Sequence, residues 1–352
     1  MSRDGCGAYV KWEMPDYMER LLTGVWRWSL GLLVVAGLTV GQVALAGTVA
    51  YYRFGDGTNG STATGSNTIL DSSGNGLKGT PFGSVVYTSN VPVSAVPQTG
   101  ATNSLSLSFD GSTGRIFIPD YPLLAITNSL TLEAFINVPA PIVGGCCGGG
   151  QIIFRGDDRV ALDPYSLTVI GTNVAIAVTD ASNNSFSLLA PITLNRWHHV
   201  AGTLDGNTGD IRLYIDCALV AANNTSIRPF ASLTGPNHGL GIGNVQSVNY
   251  SEYFKGLIDE VRISDTALTP DQFLDAPPLR IATINVIGPN VTLQFTSVPN
   301  NLHNVQSTIN LVSGTWATIT NNIVGTGGLI PFIDTGGATN FPARFYRIDL
   351  HF

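Results

Sequence analysis

From Thr48 onward the chain alternates apolar and polar positions with a period of two. Leu105, Leu107 and Phe109 alternate with Ser104, Ser106 and Ser108, and Leu130, Leu132, Ala134 and Ile136 alternate with Thr131, Glu133, Phe135 and Asn137. Val174, Ile176 and Val178 form a third stripe, and Ile211, Leu213 and Ile215 a fourth. Turn residues such as Asp110-Gly111, Asp205-Gly206 and Thr208-Gly209-Asp210 separate them. Many half-buried strands at this spacing predict an all-β, antiparallel two-sheet sandwich of the jelly-roll kind. The best helix signal is Thr269-Pro270-Asp271-Gln272, with a capping residue, a proline suited to the first helical position and a glutamine able to reach back; Pro277-Pro278 ends it.

Read as a strand, Phe254–Ser264 places Leu257, Asp259, Val261 and Ile263 on one face, and Ile258, Glu260, Arg262 and Ser264 on the other. Asp259 is then in phase with apolar residues. A carboxylate facing a core is costly unless it is paired or holds a metal.

Pro277-Pro278 also marks a boundary. Beyond it, Ile281 to Ile287, Val291 to Val298, His303 to Ile309, Trp316 to Ile319, Leu329 to Ile333 and Arg344 to Leu350 read as six further strands. They predict a small C-terminal β-sandwich over 279–352 with its own modest core. Residues 48–276 form the larger domain.

Composition narrows the class. Of 352 residues 12% are charged and 40 are glycine, which fits an exported, turn-rich β protein. The net charge of −7 is the same without residues 1–46, because Arg3, Lys11, Arg20 and Arg27 there offset Asp4, Glu13, Asp16 and Glu19. The remaining chain has no basic cluster, so nucleic acid is not an expected partner. Arg20 and Arg27 precede the apolar run Leu30 to Ala46, which ends in the small-x-small motif Ala44-Leu45-Ala46. Residues 1–46 therefore read as a leader with a signal peptide whose natural start is Met18, with cleavage leaving a secreted or cell-surface protein without a membrane segment. Beyond the leader stand Cys146, Cys147 and Cys217. One of the first two is a candidate for pairing with Cys217 in an oxidising compartment. A zinc reading has little support from this spacing.

Four segments, in order, carry a family pattern: Tyr51–Gly57 with Asp71-Ser-Ser-Gly-Asn-Gly76; Leu105-Ser-Leu-Ser-Phe-Asp-Gly111; Arg196-Trp-His-His-Val-Ala-Gly-Thr203 with Leu213-Tyr-Ile-Asp216; and Phe254–Ser264. The set resembles laminin G-like, concanavalin A-like jelly-roll domains of secreted bacterial proteins. The resemblance implies a sugar-binding or adhesive module with a structural calcium ion. Carried over, the calcium ligands are Asp71, Asn75 and Asp259, with Asp56 standing one place beyond Gly55, where the family often has an acid. Hard oxygen ligands and a glycine-rich loop suit calcium. The bland alternative has Asp259 paired with an arginine such as Arg115, and Asp71 shaping a turn. The C-terminal segment is similar to small β-domains that end large secreted bacterial proteins.

Catalysis is not expected. Glycoside hydrolysis needs two carboxylates facing one groove, and the glutamates after residue 46, Glu133, Glu252 and Glu260, stand apart. Glu133 reads as solvent-facing or near an arginine. His198 and His199 are neighbours on one strand and point to opposite faces, so they read as structural. Arg155-Gly156-Asp157 spells an integrin-type tripeptide but reads as a turn. Trp197 and Trp316 read as core, leaving Tyr250, Tyr253 and Phe254 as the aromatic candidates for ligand contact, ahead of Tyr121 and Tyr165. The expected function is a non-catalytic module recognising a polysaccharide or a cell-surface glycoprotein. A structural surface or matrix protein is the alternative, and a glycoside hydrolase a distant third.

Overall fold

The computed structural model describes residues 10–13, 47–144, 149–312, 315–339 and 343–351. The chain divides into two compact units: Leu45–Ala276, and a second formed by Pro277–Phe352 with the N-terminal stretch. Among the described residues there is no α-helix.

The larger unit is a sandwich of two antiparallel sheets, as the alternation predicts. One sheet orders its strands Ala218–Asn224, Asp210–Ile215, Trp197–Leu204, Leu130–Asn137, Lys255–Ser264, Ser106–Asp110 and Val85–Thr88, with Thr48–Tyr52 also paired to Lys255–Ser264. The other runs Ser185–Pro191, Asn173–Thr179, Tyr165–Ile170, Gly149–Gly156, Gly239–Ile242, Arg115–Pro119 and Thr80–Phe82. The apolar stripes meet between them. Leu107, Phe109, Leu130, Leu132, Ala134, Ile136, Val174, Ile176, Val178, Ile211 and Leu213 all belong to one buried cluster. Each large aliphatic side chain buried there contributes about 1.5–3 kcal/mol.

The strand Lys255–Ser264 departs from strict alternation. Asp259 lies opposite Phe135, but Arg262 lies opposite Glu133, so the strand carries one residue more than its partner. Glu260 takes the left-handed conformation, with φ of 49°. This β-bulge shifts the phase of the strand. Ile258 precedes it on the core side, and Val261 and Ile263 follow it there. Asp259 therefore lies on the outer face of the sheet, away from the main core, contrary to the uninterrupted reading. The helix expected at Thr269–Gln272 is a single 3-10 turn, Pro270–Gln272, with its capping box present. The residues around it, Thr266 to Ala276, lie along the outer face of the sheet. Thr131 Oγ1 donates to Thr266 O and accepts from Leu268 N, and Arg262 donates to Gln272 O.

The second unit contains all six C-terminal strands expected. Ile281–Ile287, Asn290–Thr296 and Leu329–Asp334 form one sheet. Val10–Glu13, Ala343–His351, Leu302–Thr308 and Ala317–Val324 form the other. Val291, Leu293, Phe295, Val305, Tyr346 and Ile348 fill its core. Val10–Glu13 thus stands as an edge strand on Ala343–His351, although the sequence assigns it to a removable leader. The apolar run Leu30 to Ala46, and Cys146 and Cys147 with their expected pairing to Cys217, lie outside the described residues.

Candidate functional site

The four residues expected to hold calcium each engage their side chains in local hydrogen bonds. The Asp71 carboxylate is taken up by its own loop: Oδ1 accepts from Tyr51 N at 3.0 Å and Ser73 N at 2.9 Å, and Oδ2 from Leu77 N at 2.9 Å and Ser73 Oγ at 2.8 Å. Asn75 donates through Nδ2 to Val49 O at 2.9 Å, and Asp56 accepts from Leu70 N at 3.0 Å. Asp259 accepts from Asn103 Nδ2 at 2.7 Å and from Glu260 N at 2.9 Å. Among the described residues Asp56, Asp71 and Asp259 do not gather into a common coordination sphere. Arg115, the alternative partner for Asp259, instead donates to Gln246 O.

Asp259 belongs to a buried polar layer on the outer face of the sheet. Burial, and then the Glu260 carboxylate, push its carboxyl up from 3.8 to about 8. Glu260 accepts from Tyr51 Oη and from Arg53. Next along the face, Glu133 accepts from Arg262 and from His199 Nε2 at 2.8 Å. Burial raises the Glu133 carboxyl, but the Arg262 guanidinium and the His199 hydrogen bond outweigh it and hold the group below its ordinary value. Glu133 is fully buried, so the solvent-facing reading is corrected while the arginine neighbour is found. The two histidines do take separate partners, His198 with Asp216 and His199 with Glu133.

The aromatic candidates disperse. Phe254 is fully buried, in edge-to-face contact with Phe109, so it packs the core. Tyr165 is buried too, its hydroxyl donating to Leu124 O. Half-buried Tyr250 donates to Asp158 O at 3.0 Å. Tyr253, also half-buried, lines a cleft of about 250 Å³ with Gly111, Ser112, Ile142, Val143 and Ser251. Trp197 is half-buried on the outer side of the sheet rather than in the main core, and Trp316 is half-buried under the Arg347 guanidinium. Within the Arg155-Gly156-Asp157 tripeptide, Arg155 is buried and paired with Asp120 and Asp157 is 3% exposed, so it displays no recognition loop.

A larger cleft of about 420 Å³ opens where five chain segments meet. Asn90, Ser108, Asp110, Asn137, Asn195 and Lys255 supply its polar lining. Gly256 belongs to the same wall, with φ of 141°, and a Cβ there would lie 2.3 Å from Asn137 O. Behind this lining, the Trp197 indole N–H donates to Asn90 Oδ1 at 3.0 Å. Asp110 is committed to its hairpin, accepting from Ser112, Thr113 and Gly114. Burial raises its carboxyl, but the Thr113 and Ser112 hydrogen bonds prevail and hold it well below the usual range. The two clefts flank one ridge, where Gly111 (φ 78°) packs against Lys255 so closely that a Cβ would stand 2.7 Å from that of the lysine. The sequence reading missed these residues. Asn137 is legible as outward-facing from its phase with Glu133 and Phe135, but its convergence with Asn90, Asn195 and Lys255 depends on strand order.

Residues 110–273 match the sequence model of a family described as the concanavalin A-like lectin/glucanases superfamily. The match leaves the Tyr51–Gly57 and Asp71–Gly76 motifs outside it. Among solved structures the chain is similar to the binding domain of botulinum neurotoxin serotype G, with 13% identity, a TM-score of 0.47, and coverage of 81% of this chain and 64% of that one. It is also similar to domain 4 of AbnA, an extracellular arabinanase of family GH43 from Geobacillus stearothermophilus solved with arabinotriose, with 21% identity, a TM-score of 0.45, and coverage of 65% and 98%. The chain therefore spans just under two thirds of the toxin domain it matches. No curated protein matches the chain.

Proposed function

We propose that Leu45–Ala276 is a glycan-binding module, starting from the match of its residues 110–273 to the concanavalin A-like lectin/glucanases superfamily model. The observation that carries the reading is the polar cleft. Its volume of about 420 Å³ lies within the range of small-ligand sites, about 300–1,000 Å³. Asparagine amides, a serine hydroxyl and an ammonium offer both donors and acceptors, which suits the hydroxyls of a sugar. The ligand class is a polysaccharide or the glycan of a cell-surface glycoprotein.

The module acts by binding alone. The carboxylate lining the cleft is Asp110, and its oxygens serve the hairpin turn. Glycoside hydrolysis requires a second carboxyl group facing the first across the substrate. Export is part of the proposal and rests on the sequence of residues 20–46. Among the described residues no helix is long and apolar enough to cross a membrane. Cleavage after Ala46 would remove Val10–Glu13 and leave Ala343–His351 at the edge of its sheet. N-terminal sequencing of the secreted protein tests this directly. The binding reading is tested on a glycan array: saturable signal on a coherent set of sugars supports it, and silence across the array favours a structural surface protein.

A further inference from the structure

Three side chains of different chemistry meet on the outer face of the larger sheet, apart from both clefts. A ring nitrogen of His199, Cys217 Sγ and a carboxylate oxygen of Asp275 all lie within 4.8 Å of one another. Local structure explains the meeting. His199 sits on Trp197–Leu204, beside Asp210–Ile215. Asp216 and Cys217 form the two-residue turn after that strand, both with positive φ, 51° and 63°, as a tight hairpin of the I′ kind requires. Asp216 N donates to His199 O at 2.8 Å and pins the turn next to the histidine. Asp275 arrives from the opposite direction, on the segment whose Leu274 N donates to Glu133.

The imidazole is already oriented. His199 is 1% exposed, and its Nε2 lies 2.8 Å from Glu133 Oε2. Because an ionised carboxylate only accepts, Nε2 carries a proton, and in the neutral imidazole Nδ1 then keeps the lone pair that a metal needs. Nδ1 is buried and makes no hydrogen bond. A carboxylate that fixes one ring nitrogen while the other faces a cluster of ligand atoms is the arrangement found around metal-bound histidines.

We propose that His199, Cys217 and Asp275 bind a divalent d-block cation of the zinc type, with Glu133 as the positioning residue behind His199. The spacing agrees. Zinc bonds of about 2.3 Å to sulfur and about 2.1 Å to oxygen, at a tetrahedral angle, separate S and O by about 3.6 Å. Cys217 Sγ and Asp275 Oδ2 are 3.9 Å apart. The mixed nitrogen, sulfur and oxygen set suits zinc, whereas calcium needs six to eight oxygens. Asp275 is only partly buried, which leaves a fourth position open to water on that side. Binding forms one metal–sulfur bond and releases the thiol proton to solvent.

The test uses the purified, reduced chain, stripped of metal and titrated with zinc and with cobalt(II). The expected result is one equivalent bound, a rise in melting temperature of several degrees at saturation, and a thiolate-to-cobalt charge-transfer band. Cys217→Gly is the informative variant, because glycine accepts the positive φ at this position without strain. It should fold, as judged by circular dichroism, and lose both the band and the melting shift. A Cys146→Ser/Cys147→Ser variant should keep both. Absence of any metal response in the folded, reduced wild type overturns the site, and so does a response that survives Cys217→Gly.

Discussion

Arg262 and Glu133 form an ion pair on neighbouring strands with both side chains almost wholly removed from solvent, at 1% and 0% exposure. The bulge at Glu260 makes this pairing possible, since it sets Arg262 opposite Glu133 while keeping Val261 and Ile263 in the core. The pair also anchors the segment that covers it, through Gln272 O and Leu274 N. Removing one partner leaves an uncompensated buried charge, which costs about 3–5 kcal/mol. Arg262→Ala and Glu133→Ala should each lower the stability of the larger unit by that amount in urea unfolding. Replacing both by apolar residues should cost less than the sum of the two, and additive losses would show that the two groups do not act as a pair.

Asp259 sets a pH dependence of the opposite sign to that of an ordinary surface carboxylate. Its folded pKa, about 8, lies above its ordinary 3.8, so the folded chain holds a proton that the unfolded chain releases. Stability from this group is complete below about pH 4 and declines as pH rises towards 8, by up to about 1.4 kcal/mol per pH unit. Asp163 adds to the decline up to about pH 7, its carboxyl raised by burial and by the Glu252 and Asp157 carboxylates. Denaturation midpoints measured from pH 5 to 9 should fall, and Asp259→Asn should flatten the slope. A slope unchanged in Asp259→Asn would mean that Asp259 is ionised in the folded state.

Calcium should leave the melting temperature of the metal-free chain unchanged. Asp71 and Asp259 each serve local hydrogen bonds, and among the described residues neither belongs to a cluster of three His, Cys, Asp or Glu ligand atoms. A cation held by both at 100 times its dissociation constant would add about 2.7 kcal/mol. A shift of several degrees on adding calcium, lost in Asp259→Ala, would contradict this geometry.

The sandwich was legible because most strands keep strict alternation: Leu130 to Ile136 and Leu105 to Phe109 fall on the core side as their phase requires. Lys255–Ser264 shows where that reasoning stops. One left-handed residue, Glu260, reverses the phase, and nothing in the residue types around it announces the bulge. Asp259 therefore looked like an inward carboxylate in need of a metal, when it lies under a loop beside Asn103. The cleft was less legible still. Its lining comes from positions 90, 108–110, 137, 195 and 255, which only strand order brings together. The same holds for His199 and Cys217, neighbours through a turn that pairs Asp216 with His199. Tyr250, Tyr253 and Phe254 are close in sequence, yet they divide between a loop, a cleft wall and the core.

Glycan recognition at the polar cleft is the central claim, and the most direct measurement is a binding isotherm for a sugar selected on the array, taken with wild type and with Asn137→Ala and Lys255→Ala. Each truncation removes a hydrogen-bonding group worth about 1–3 kcal/mol in a bound complex, so affinity should fall roughly five- to 150-fold while the melting temperature stays near that of wild type. Affinity unchanged in both variants, with the sugar still bound, would place recognition elsewhere on the molecule and contradict the account.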